Sequence, residues 1–225
     1  MLIYKSILSD KSLLAFWKME ETEEQLRAMC DLTDEDNCRI ERCSAPKRRI
    51  ELLSVRALLK AVGINQTIHY DGSKPYLDNG YISISHSADI AAIIYNPDHS
   101  VGIDIEKISP RIQRIATRAF SDEEIAAANG DLEKLTILWN CKECVFKLAN
   151  DEGIDFREMI EVEMPSDFLV QDNFNENIIH YPLLIVNYPL SIINCTLKKS
   201  GISKRFSLFA MKIEGNTVVW GRLDG

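Results

Sequence analysis

No stretch of this chain approaches the ~18 consecutive apolar residues that a bilayer-spanning helix requires, so no membrane span is expected. Met1 to Asp10 alternates apolar and polar residues where an export signal has a charged segment followed by an apolar one. The cytoplasm is therefore the expected compartment. Low-complexity segments and Pro- or Gly-rich linkers are also missing. Positive charge is scarce: 26 Lys and Arg face 34 Asp and Glu, a formal net charge of −8. A protein built to grip a nucleic-acid backbone needs a broad cationic surface, so no such partner is expected. A small anion needs only a few local cations and stays open. The six cysteines are unevenly scattered and are expected as reduced thiols. Cys141-x-x-Cys144 lacks the second close Cys/His pair of a zinc site. Cys141 also lies turns inside a predicted helix, away from the positive helix end that activates a redox thiol. No Walker loop, GxGxxG, HExxH or GxSxG occurs, which lowers the common nucleotide, zinc-protease and serine-hydrolase readings.

What is present is an ordinary globular balance, 46% hydrophobic and 27% charged over 225 residues, enough for one large domain or two small ones. Alternating and β-branched runs predict strands near 1–8, 13–18, 66–70, 81–86, 90–95 and 100–105. Helical spacing predicts helices near 22–30, 46–62, 110–119, 121–128 and 131–149. Strands return near 154–163, 190–199, 203–212 and 216–220. Strands and helices mixed without regular βαβ alternation define an α+β chain. Each half supplies helices and a small antiparallel set of strands, which suits two similar lobes. Ser44-Ala45-Pro46 and Ser109-Pro110 read as caps with an N1 proline, Gly63 as a helix stop, and Ser121 with Glu124 as a capping box.

Four constellations carry chemistry. In Val101-Gly102-Ile103-Asp104-Ile105-Glu106, strand alternation puts Asp104 and Glu106 on one face and the two isoleucines on the other. Adjacent carboxylates repel unless a hard cation such as Mg²⁺ sits between them, although a strand end facing solvent gives the same pattern. In the helix from 131 to 149, Glu143 and Lys147 lie one turn apart, with Trp139 one turn before Glu143. They form either a surface ion pair or a third metal carboxylate, with Lys142 and Lys147 gripping phosphates. Lys47, Arg48 and Arg49 crowd the first turn of another helix, against its dipole, where an anion would be welcome. Lys74-Pro75 and Ile84-Ser85-His86-Ser87 add a cation, hydroxyls and a strand-end histidine. Three carboxylates, several cations and no obvious nucleophile suit Mg²⁺-assisted transfer of a phosphate group to an acceptor hydroxyl.

In order along the chain, these motifs resemble the surfactin-type 4′-phosphopantetheinyl transferases. The resemblance rests on Gly102-Ile103-Asp104-Ile105-Glu106 and Trp139-x-x-Lys142-Glu143-x-x-x-Lys147, with Phe120-Ser121-x-x-Glu124 between them. Upstream lie Lys47-Arg48-Arg49, Leu53-x-x-Arg56, Lys74-Pro75 and Ile84-Ser85-His86-Ser87; downstream lies Gly153-Ile154-Asp155-Phe156. Ser73 and Cys144 depart from the family's usual Gly and small Ala or Ser. The resemblance implies one α+β chain of two pseudo-symmetric lobes, 1–104 and 105–225, each a small, mostly antiparallel sheet packed with helices, with coenzyme A in the cleft. It implies Asp104, Glu106 and Glu143 as Mg²⁺ ligands, and Lys142, Lys147, Lys74 and Ser85 near the pyrophosphate. His86 with one or more of Lys47, Arg48 and Arg56 would hold the adenosine 3′-phosphate. Glu143 would deprotonate the serine of an apo acyl or peptidyl carrier protein, and 3′,5′-ADP would leave; Lys147 would assist. A monomer is expected. Arg111, Arg114 and Arg118 fall on one helical face and are expected to dock the acidic carrier, against the alternative of a solvated helix. The competing reading is a non-catalytic coenzyme A or nucleotide binder on the same fold.

Overall fold

The structure, a computed structural model, describes residues 1–164 and 191–223. The described residues fall into two compact units, 1–98 and the remainder. Each is an antiparallel sheet packed against one long helix, so the α+β architecture expected from the sequence is what the chain adopts.

The first unit contains β1 (Leu2–Ile7), β2 (Leu13–Lys18), α1 (Glu23–Met29), α2 (Asp34–Glu41), α3 (Pro46–Val62), β3 (His69–Asp71), β4 (Lys74–Tyr76), β5 (Tyr81–His86) and β6 (Ile90–Asn96). Its sheet runs β1-β2-β6-β5, and β3–β4 form a separate hairpin. The apolar stripe of α3, with Leu53, Leu58 and Leu59, packs into one core with Ala15, Trp17, Ala91 and Ile93. Gly63 ends α3 in the left-handed conformation, as its sequence position predicts.

The second unit contains β7 (Val101–Lys107), a 3₁₀ turn (Pro110–Ile112), α4 (Gln113–Ala119), α5 (Asp122–Ala128), α6 (Leu132–Ala149), α7 (Phe156–Met159), β8 (Ile160–Glu163), β9 (Ser191–Lys199), β10 (Ile202–Ile213) and β11 (Asn216–Arg222). The sheet order is β7-β11-β10-β9-β8. The helix α6 lies against β7 and β11. Gly102 permits that approach: a Cβ there would stand 2.8 Å from the Leu148 side chain and 2.9 Å from the Cys144 carbonyl.

Local expectations need correction where capping and polar faces decide. The first-turn cap of α3 is Ala45, not Ser44, and no side chain caps it; Arg49 folds back onto the Cys43 and Ser44 carbonyls instead. Ser109 likewise makes no side-chain cap, and Pro110 opens a 3₁₀ turn before α4. The segment expected as a strand near 154–163 starts with α7, because the Asp155 carboxylate accepts from the Arg157 and Glu158 amides. Two elements went unpredicted. The polar helix α2 starts at a Thr33–Asp36 capping box, and β4 carries Lys74 and Pro75. Cys141 and Cys144 are fully buried free thiols whose burial pushes them well above the usual range, the opposite of an activated redox pair.

Candidate active site

On β7 the period-two alternation holds. Ile103 and Ile105 are fully buried in the core, while Asp104 and Glu106 point to the other side, Asp104 at 4% exposure. From α6, Lys147 reaches across to donate to Asp104 Oδ1 at 2.9 Å and to the Ile103 carbonyl at 2.8 Å. Lys147 therefore pairs with the strand carboxylate, not with Glu143 one turn earlier on its own helix. Asp104 Oδ2 accepts from Asn140 Nδ2 at 2.8 Å, and Asn140 Oδ1 accepts from the Thr217 hydroxyl of β11 at 2.6 Å.

Electrostatics draw Glu106 and Glu143 into the same cluster. Burial first, and the Asp104 charge second, push each of them up to about 7. A hydrogen bond from the Trp139 indole pulls Glu106 the other way. Lys147 stays charged: burial works against its ammonium, and Asp104 and Glu143 outweigh it to raise its value. Three neighbouring carboxylates offer only oxygen donors, the chemistry a hard cation such as Mg²⁺ prefers, so the donor types fit that ion. Among the described residues no three such side chains already converge on one point, and Asp104 spends its oxygens on Lys147 and Asn140.

Lys142, expected near the pyrophosphate, is fully buried. Its ammonium pairs with Glu124 Oε2 at 2.8 Å and donates to the Phe156 carbonyl at 2.8 Å and the Ile160 carbonyl at 2.6 Å. Glu124 also accepts from the Ser121 and Val162 amides, so its capping box and the Lys142 ion pair join α5, α6, α7 and β8. Burial lowers the Lys142 value despite Glu124, the mark of a cation committed to the interior. Phe156, held by this hub, stacks against Trp139 at 5.5 Å and Phe146 at 5.6 Å between ring centroids.

In the first unit, Lys47 and Arg48 are exposed and share Glu51. Arg56 is buried against Asp36 at 2.7 Å and donates to the Tyr70 hydroxyl at 3.0 Å. Lys74 is exposed on β4, and Ser85 and His86 close β5. Sequence reasoning missed a cavity of about 520 Å³ lined by Glu35, Cys38, Arg39, Arg42, Cys43, Arg48, Leu52 and Tyr70. Arg39 lies 3.4 Å above the Tyr70 ring. Neither Arg39 nor Arg42 has an ion pair among the described residues, and the lining sets three arginines against Glu35. Its signals in the sequence are the Lys47-Arg48-Arg49 cluster, which supplies Arg48, and the Thr33–Asp36 capping box that starts α2. Arg111, Arg114 and Arg118 are all exposed, along the 3₁₀ turn and α4.

Residues 100–181 match the 4′-phosphopantetheinyl transferase superfamily, a stretch that includes β7, α4, α5, α6 and β8. The 4′-phosphopantetheinyl transferase HetI of Nostoc sp. is 26% identical to this chain over 182 residues, covering 71% of the chain and 76% of the relative.

Proposed function

We propose that this protein is a two-lobed, surfactin-type transferase that moves the 4′-phosphopantetheine group of coenzyme A onto a serine of an apo acyl or peptidyl carrier protein. The observation that carries the reading is the Asp104, Glu106, Glu143 and Lys147 cluster, lying within the segment that matches the superfamily. Asp104, Glu106 and Glu143 would hold Mg²⁺, which when bound neutralises pyrophosphate charge and favours departure of the nucleotide. Glu143, pushed up to about 7, is suited to accept the serine proton, directly or through a water. The serine oxygen then forms a bond to the β-phosphorus as the bond to the α-phosphate oxygen breaks, and 3′,5′-ADP leaves. Lys147 would steady charge at the pyrophosphate, and Lys74 and Ser85 are proposed as further contacts of that group. Lys142 acts through the fold, by holding Phe156 and β8. His86, Lys47 and Arg48 serve the 3′-phosphate, and the open guanidiniums of Arg39 and Arg42 extend that cationic set. Arg56 braces it through Tyr70. The exposed Arg111, Arg114 and Arg118 dock the acidic carrier. One chain carrying both units supports a monomer.

Intact-mass spectrometry of apo acyl and peptidyl carrier proteins incubated with this protein, coenzyme A and Mg²⁺ tests the reading. Wild type is expected to add one phosphopantetheine mass. Glu143→Gln is expected to lose about 10²-fold or more in rate, the usual scale for removing a general base. Replacing Arg111, Arg114 and Arg118 together by Glu is expected to raise the carrier KM and spare kcat. No gain on either carrier class, with coenzyme A still bound, would leave the non-catalytic binder in its place.

A further inference from the structure

The buried contact between α6, β7 and β11 contains a hydrogen-bond chain that reaches Asp104 through two uncharged side chains the proposed chemistry does not use. Asn140 and Thr217 are fully buried and Asp104 nearly so. The chain runs from the Thr217 hydroxyl to Asn140 Oδ1 at 2.6 Å, then from Asn140 Nδ2 to Asp104 Oδ2 at 2.8 Å. An ionised carboxylate only accepts, so the Asn140 NH₂ must face Asp104 and its oxygen must face Thr217. A flipped amide would set oxygen against carboxylate at a buried position, where such a clash is costly. Thr217 therefore fixes the amide, and the amide fixes Asp104. Thr217 stands opposite Glu106 in the β7–β11 register, so the residue that orients Asn140 is itself paired through its backbone to the strand that carries Asp104 and Glu106.

The two donors to Asp104 differ in kind. Lys147 brings positive charge that repels an incoming cation, whereas Asn140 brings a hydrogen bond and no charge. We infer that Asn140, oriented by Thr217, is the positioning residue that sets the divalent-cation affinity of the Asp104 carboxylate. This inference rests on the proposed metal-dependent transfer. It extends that reading to residues that touch neither the cation nor the substrate. Outer partners of ligating carboxylates typically change metal affinity about 10- to 100-fold when removed.

The test compares wild type with Thr217→Val, Thr217→Ser and Asn140→Leu as full-length proteins. Mn²⁺ affinity is read from the free-ion electron paramagnetic resonance signal, with and without coenzyme A, and Mg²⁺ activation is measured in the carrier assay. Thr217→Val keeps the shape of the side chain and removes only the hydroxyl, so it carries the test even if Asn140→Leu fails to fold. The expected result is a Mn²⁺ Kd raised about tenfold or more in Thr217→Val and Asn140→Leu. The Mg²⁺ activation midpoint should shift in parallel, with the carrier KM unchanged and Thr217→Ser close to wild type. Folded variants that bind Mn²⁺ as wild type does overturn the inference and leave the transferase reading standing. Thr217→Ser matching Thr217→Val also overturns it, because hydroxyl donation is then irrelevant. A wild type that binds no Mn²⁺ and modifies no carrier overturns both.

Discussion

At the scale of single residues, the adjacent Lys142 and Glu143 have divergent fates. Glu143 is half-buried beside Asp104, whereas Lys142 is enclosed by Glu124 and two backbone carbonyls. A buried ammonium deprived of its carboxylate, or the reverse, leaves an uncompensated charge, and removing one partner of such a pair typically costs about 3–5 kcal/mol. Lys142→Met is expected to lower the urea unfolding free energy on that scale. Lys142→Met combined with Glu124→Gln should recover part of it, since neither charge is then stranded. The folded fraction of Lys142→Met should retain a near-normal KM for coenzyme A. Unchanged stability with a raised KM would instead make Lys142 a phosphate ligand. The orientation of Asp104 and Glu106 was legible in the sequence, because strand alternation depends on neighbours in the chain. The commitment of Lys142 was not, since its acceptors come from α5, α7 and β8 and only folding brings them together.

At the scale of elements, strongly apolar or clearly capped segments were readable and polar ones were not. The helices α3 and α6 follow from long apolar stripes, and α5 from its Ser121–Glu124 capping box. The helix α2 buries only Asp36 and Ile40, so periodicity is nearly silent there and the Thr33–Asp36 box is its one local signal. Missing α2 meant missing Arg39 and Arg42, and with them the cationic basin. The glycine of Gly102-Ile103-Asp104 has a structural reason that only the α6–β7 packing reveals. A methyl group at Gly102 meets Leu148 at 2.8 Å and the Cys144 carbonyl at 2.9 Å, and backbone cannot rotate away as a side-chain tip can. Gly102→Ala must therefore push α6 off β7, the two elements that carry Asp104 and Glu143. Overpacking of this kind typically costs about 1–3 kcal/mol. The expected outcome is a lower thermal midpoint together with a higher Mg²⁺ concentration for half-activation. A variant with a lower midpoint but unchanged Mg²⁺ dependence would show that the carboxylates do not depend on this spacing.

At the scale of the whole molecule, the net charge is −8, and one partly buried carboxylate cluster adds a titration of its own. Glu106 and Glu143 are pushed up to about 7 from an ordinary value of 4.5, mainly by burial and then by Asp104. Between those values the folded chain holds more protons than the unfolded chain. The two groups' contribution to stability is thus fully present below about pH 4.5 and lost as pH rises through about 7. In EDTA the melting midpoint is expected to fall from pH 5 towards pH 8. Under the proposed function Mg²⁺ takes the ionised carboxylates of the folded state, so the stabilisation it adds should be larger at pH 8 than at pH 5. General repulsion among the excess acids pushes in the same direction, but it is screened by salt, whereas a half-buried cluster is screened far less. The decisive arm is therefore Glu106→Gln with Glu143→Gln at high ionic strength. If the cluster is the source, that variant loses both the downward slope and the Mg²⁺ effect. If it keeps the slope of wild type, the pH sensitivity belongs to the surface charge and not to the site.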